Sequence, residues 1–169
     1  PEGGGLAKFA DESTSVTWVH DPAQPVPDLV ADPWSLDPGL PDERDVELRD
    51  DVATFTSSQY THDLLLCGPI QATVDIEADA PSTHVVAKLV DVDPLGRAQR
   101  ICEGIAVATG PYPARAVIDL GHTAYRLDAG HQLRLEIASS MFPRYALHPG
   151  TGESPWLATA HTAASARAV

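Results

Sequence analysis

The stretch Ile70-Gln71-Ala72-Thr73-Val74-Asp75-Ile76-Glu77 alternates apolar and polar residues without a break. Successive side chains of an extended chain point to opposite faces. This spacing therefore puts Ile70, Ala72, Val74 and Ile76 on one face and Gln71, Thr73, Asp75 and Glu77 on the other. A helix would scatter both sets around its axis, so the reading is a half-buried antiparallel strand. Leu133, Leu135 and Ile137 alternate with Arg134, Glu136 and Ala138 in the same way, and Ala116, Ile118 and Leu120 form a shorter third case. The run from Val85 to Val92 is apolar on both faces and predicts a central strand covered on both sides.

Turn residues separate these runs. Asp93-Pro94-Leu95-Gly96 places Pro and Gly where a tight turn uses them. Gly68-Pro69, Ala80-Pro81, Gly110-Pro111 and Ala129-Gly130 break the others. No window of a dozen residues sustains a 3.6-residue period, so the expected class is all-β, a jelly-roll β-sandwich.

The first 51 residues differ in character. Thirteen acids stand there against Lys8, Arg44 and Arg49, and seven of the fifteen prolines precede residue 42. Such a composition buries little. Residues 1–15 are expected to be a tail or linker and 16–169 the jelly-roll domain, within which 16–51 is an extended acidic arm. Val16-Thr17-Trp18-Val19-His20 is the one strand expected in that arm, with the prolines after it excluding a central position. The Ala- and Ser-rich end from Thr159 to Val169 reads as a ragged last strand or a cut point. The opening Pro1-Glu2-Gly3-Gly4-Gly5 has no initiator Met and no signal-peptide pattern, so the chain reads as a piece of a longer one.

Charge and composition exclude several functions. A net charge of −13 repels phosphate backbones and anionic lipid, so neither nucleic acid nor membrane is an expected partner. No apolar run is long enough to span a bilayer. Cys67 and Cys102 each lie in an apolar stretch and read as buried free thiols, with a mutual disulfide as the alternative. Neither belongs to a CxxC pair, and no two of the seven histidines have zincin spacing on a helix, so no metal and no cofactor are expected. Asp91 and Asp93 share a strand face next to the Pro-Gly turn and read as strand-end acids rather than half a calcium site. Gly152-Glu153-Ser154-Pro155-Trp156 is the nearest approach to a nucleophile elbow. It lacks the second glycine, and Pro155 stands where a helix would start, so no catalytic residue is assigned and the chain is not expected to be an enzyme alone.

The order of motifs carries more information than any one of them. Asp21-Pro22-Ala23-Gln24-Pro25-Val26-Pro27 precedes Pro41-Asp42-Glu43-Arg44, and Arg49-Asp50-Asp51-Val52 leads into Phe55-Thr56-Ser57. Gly68-Pro69-Ile70-Gln71-Ala72, Val86-Ala87-Lys88-Leu89-Val90-Asp91-Val92 and Gly96-Arg97-Ala98 follow. Glu103-Gly104-Ile105, Gly130-His131-Gln132-Leu133-Arg134-Leu135 and Ser139-Ser140-Met141-Phe142-Pro143-Arg144-Tyr145 complete the series. In this order, residues 16–157 resemble the C-terminal non-catalytic domain of the X-Pro dipeptidyl-peptidase and cocaine esterase (CocE/NonD) family of serine hydrolases.

That resemblance implies a galactose-binding-like jelly roll that packs on an α/β-hydrolase domain of the same parent chain and helps frame its acyl pocket. It places the Ser-Asp-His triad upstream and, since family members often associate through such domains, leaves a homo-oligomer open. Two lysines, Lys8 and Lys88, beside nine arginines point to a GC-rich bacterial genome, with a cytoplasmic location expected unless the parent is secreted. The loop from Asp28 to Asp42 lies closest to the pocket by position. Trp34 and Leu36 are its candidate lining residues, or else filling for the domain interface. Departures from the family pattern fall at Ser82-Thr83-His84, at Leu95 before Gly96-Arg97, at Ala146-Leu147-His148-Pro149-Gly150, and after Ala160, where the usual closing strand is missing. The alternative is a stand-alone carbohydrate- or polymer-binding module, against which the 6% aromatic content argues.

Overall fold

The computed structural model of the chain describes residues 2–6, 15–30, 41–154 and 156–168. Its strands, in order, are β1 (Glu2–Leu6), β2 (Val16–His20), β3 (Val52–Ser57), β4 (Leu64–Ala78), β5 (Ser82–Val92), β6 (Ala98–Thr109), β7 (Ala114–Leu127), β8 (Gln132–Ala138) and β9 (Ala164–Ala168). One helical turn, α1 (Arg44–Glu47), lies between β2 and β3. The strands form two sheets, β1-β3-β8-β5-β6 and β2-β9-β4-β7, which face each other as a β-sandwich.

The alternation read from the sequence sets the inner faces. Ala72 and Ile76 of β4, with Ala116, Ile118 and Leu120 of β7, meet Val85 and Ala87 of β5 and Ile137 of β8 in one apolar cluster. Trp18 of β2 closes one side of that cluster, and its indole N–H donates to Ser139 Oγ at 2.9 Å, which satisfies its one polar atom. The Asp93–Gly96 turn between β5 and β6 forms as expected. Asp93 Oδ1 accepts from the Leu95 and Arg97 amides, and Gly96 takes a φ of +82°, open to glycine at little cost.

Four expectations needed correction. Glu2–Leu6, expected within a tail, pairs parallel to β3 at the edge of the first sheet; three glycines leave no side-chain alternation by which to recognise a strand. A closing strand, expected to be missing after Ala160, is present, in line with the other reading of this end as a ragged last strand. β9 runs between β2 and β4, burying Ala164, Ala166 and Ala168. Alanine has poor strand propensity, and it is the pairing on both sides that holds it extended. Residues 44–47 are helical rather than extended, turned about the buried Val46. Cys67 is exposed, because it shares the outward phase of β4 with Leu65, Pro69 and Gln71; Cys102 is half-buried, and both thiols are free.

Candidate functional site: the arm and the charges beneath it

The outer face of the five-stranded sheet is where polar residues of a sandwich ordinarily meet water. Here it is covered. The strand register brings Lys88 of β5 between Glu136 of β8 and Glu103 of β6, and in the next row Val90 between Arg134 and Arg100. Arg100 and Glu103 share this face only because Ile101 is a bulge residue, the ladder shifting between Leu89 and Val90. Without the extra residue, side chains three apart on a strand would point to opposite faces.

Segments 21–30 and 41–51 lie across these rows. Pro27 bridges Phe142, and the Asp28 and Phe142 amides donate to Phe142 and Val26 carbonyls at 2.7 and 2.8 Å. Asp42 bridges Gln99, and the Glu43 amide donates to the Ala98 carbonyl at 2.8 Å. Val26 and Val46 pack on Val52 and Ala138. Arg100 ties the two segments together: its guanidinium reaches Asp28 Oδ1 at 2.9 Å and Glu43 Oε1 at 3.4 Å. The described flanks, 21–30 and 41–51, are thus joined through one arginine.

Beneath the arm lies a nearly dry ion network. Lys88 Nζ donates to Glu43 Oε2 at 2.8 Å and lies 3.0 Å from Glu136 Oε2, without the alignment of a hydrogen bond to the latter. Lys88, Glu43 and Glu136 are all at most 2% exposed. Arg134 pairs with Glu47 and Arg144 with Glu103 around the margin. Burial pushes the Glu136 carboxyl up to about 7, opposed by Lys88 and reinforced by the Glu43 and Glu47 carboxylates.

Trp34 and Leu36, the candidate pocket residues, lie outside the described residues. Their flanks are described, and both are pinned. Sequence reasoning missed Lys88, Glu43, Glu136 and Arg100 as a connected group. The available signal was a lone lysine in an apolar strand, which a core tolerates only with a counter-ion.

Two other polar clusters occupy the ends of the sandwich. Asp91 accepts from the Tyr125 hydroxyl at 2.7 Å and lies 2.7 Å from His131 Nδ1. Asp91 is therefore engaged within the fold, and Asp93 in its turn. At the other end His20, His84 and His148 gather. The Gly150 amide donates to His148 Nδ1 at 3.1 Å, so the ring's proton sits on Nε2, 3.2 Å from Ser82 Oγ. The His84 and His148 rings meet edge to face at 4.7 Å. Among the described residues His20 Nε2 and His84 Nδ1 are buried without partners, and burial holds both residues below the ordinary imidazole range. Among the described residues no three His, Cys, Asp or Glu side chains converge as metal ligands would, and no helix is long and apolar enough to cross a membrane. Ser154 lies in an exposed loop, its carbonyl accepting from the Leu157 and Ala158 amides.

Comparison with known proteins agrees with this geometry. Residues 8–167 match the family described as the X-Pro dipeptidyl-peptidase C-terminal non-catalytic domain. Cocaine esterase of Rhodococcus sp. (strain MB1 Bresler) is 31% identical over 166 residues, covering 89% of this chain and 29% of that protein. A putative serine esterase of Mycobacterium bovis is 27% identical over 128 residues, 59% of this chain and 20% of its own length. An α-amino acid ester hydrolase shares the fold with a TM-score of 0.78 at 23% identity, over 95% of this chain and 31% of that one. An aminopeptidase from a marine-sediment Thaumarchaeota archaeon does so with a TM-score of 0.78 at 21% identity, over 98% and 32%. The chain spans less than a third of the length of each. It belongs to the X-Pro dipeptidyl-peptidase C-terminal non-catalytic domain family.

Proposed function

We propose that the chain has no hydrolytic activity alone and works as the accessory jelly roll of a serine hydrolase acting on ester or peptide bonds. It packs on an α/β-hydrolase domain of the same parent chain, and the stretch between Val30 and Pro41 frames the acyl pocket with Trp34 and Leu36. The observation that carries this reading is the double anchoring of that stretch by Arg100. Both flanks of that stretch are thereby held on the sheet, which supports a positional role for what lies between them. Leu65 and Pro69 on the outer face of β4, with Ala124 opposite the exposed Cys67, offer apolar contact to a neighbouring domain.

Short- and long-chain p-nitrophenyl esters test the proposal, with the 169-residue chain compared against the same chain joined to the sequence encoded upstream of Pro1. The shorter chain is expected to be inert and the longer one to turn over ester and lose activity on serine blockade. Trp34→Ala and Leu36→Ala in the longer chain should change the preference between acyl lengths by about tenfold, the scale of a lost apolar pocket contact. Hydrolysis by the shorter chain alone would overturn the reading.

A further inference from the structure

Among the described residues the ion network beneath the arm does not balance. Asp28, Glu43, Glu47, Glu103 and Glu136 supply five carboxylates, while Lys88, Arg100, Arg134 and Arg144 supply four cations. The surplus falls at the driest place. Among the described residues, both Glu136 oxygens and Glu43 Oε1 are buried without a hydrogen-bond partner, around one Lys88 ammonium that donates to Glu43 Oε2. Two buried carboxylates sharing one cation are relieved by a single proton.

The location gives that proton a consequence. Glu43 and Glu47 belong to the arm, whereas Glu136, Lys88 and Arg134 belong to the sheet. Glu136 faces Lys88 on β5, Glu43 and Glu47 from the arm, and Arg134 along its own strand, with Arg100 and Glu103 of β6 beyond Lys88. With Glu136 neutral, four carboxylates meet four cations and the arm is held. With Glu136 ionised, an unmatched negative charge under the arm repels the two arm carboxylates that hold it down.

We propose that Glu136 is the proton-bearing member of a latch that fixes arm segments 21–30 and 41–51 on the sheet. The latch deepens the pocket-framing reading and, as a regulator of that pocket, rests on it.

The direction follows from the difference between the closed and open arm. Glu136 under the closed arm keeps its proton to about 7, whereas with the arm lifted it returns to an ordinary carboxyl and ionises near 4.5. Between those values opening releases a proton, so rising pH favours opening. Above the upper value both states are ionised and the effect levels off.

Hydrogen exchange on the 169-residue chain reads this directly. The amides of Val26, Asp28, Glu43, Val46 and Glu47 all donate hydrogen bonds that hold or shape the arm. Their opening, corrected for intrinsic exchange and referred to amides of the β4–β7 ladder, is expected to rise by up to about tenfold per pH unit between about pH 5 and 7, and then to flatten. In Glu136→Gln the arm amides should show no such rise. A flat profile in the unaltered chain, or a slope that survives in Glu136→Gln, would overturn the latch.

Should Glu136→Gln not fold, infrared spectra of the unaltered chain with labelled glutamate decide. A protonated carboxyl that persists towards neutral pH is expected, and its absence above pH 5 would overturn the proposal. Neither readout involves a hydrolase domain. A failed latch therefore leaves the ester experiment standing, and a failed ester experiment leaves the latch.

Discussion

Gly104 of β6 faces the backbone carbonyl of Asp119 of β7 so closely that a Cβ on residue 104 would stand 2.1 Å from that oxygen. The two strands belong to different sheets, and their close crossing closes the sandwich along one side. The requirement here is for space. Gly104 has an ordinary negative φ, and the constraint differs from that of a turn glycine such as Gly96.

Gly104→Ala is therefore expected to destabilise the fold by about 1–3 kcal/mol or more, since the clashing atom is backbone and cannot rotate away. A urea midpoint measures it, with an unchanged slope indicating that the native state alone has been affected. A midpoint equal to that of the unaltered chain would mean that the strands separate freely at this crossing.

The period-two alternation made the sandwich readable. Ile70 to Glu77, Leu133 to Ala138 and Ala116 to Leu120 all lie in the strands and phases expected of them. What alternation cannot reveal is the nature of the medium beyond the polar phase. Arg134 and Glu136 read as solvent-facing, yet Glu136 is 2% exposed because a segment some ninety residues earlier in the chain lies over it. Likewise the bulge at Ile101, which brings Arg100 beside Glu103, depends on the pairing of β5 with β6 and leaves no mark in β6 itself. The motif order pointed to the family and to the arm as the part of interest. The charge network that holds the arm is a property of register, visible only once strands are paired.

Near pH 8, Lys88→Met should cost about 3–5 kcal/mol, because it leaves the buried Glu136 carboxylate without a cation and Glu43 with Arg100 alone at 3.4 Å. The double replacement Lys88→Met with Glu136→Gln should cost less than Lys88→Met alone, since the stranded charge is then absent. A coupling of about 0.5–3 kcal/mol is the scale for such neighbours. Additive losses in denaturant titrations would indicate that the two side chains do not share the site.

The two thiols should be separable by reactivity. Cys67 is exposed on β4, whereas the Cys102 thiol is pushed up to about 11 by burial and then by the neighbouring Glu103 carboxylate. Thiolate is the reacting species, so Ellman's reagent at pH 8 should modify one thiol rapidly and the other at least about tenfold more slowly. Cys67→Ser should remove the fast phase and leave the slow one. Two thiols reacting at one rate would contradict the burial of Cys102.

The histidine cluster gives stability a pH dependence of the opposite sign to that of the arm latch. An unfolded imidazole takes its proton as the pH falls through about 6.5. In the fold His84 stays neutral down to about 4, first through burial and then through His148 and His20. His20 and His148 are lowered by burial as well, with the His148 backbone, then Asp51 and Asp21, opposing the shift at His20. The unfolded chain therefore binds protons preferentially over this window, and stability falls as pH falls, by roughly 3 kcal/mol for His84 alone. Glu136, whose folded carboxyl is raised, gains stability over much of the same descent, so the two trends offset one another in the unaltered chain. Glu136→Gln should expose the histidine slope, seen as a urea midpoint that drops between pH 7 and pH 4.5. Adding His84→Gln to that variant should remove the larger part of the drop. If the slope is the same with and without His84, the cluster does not bear the neutral, buried imidazole assigned to it.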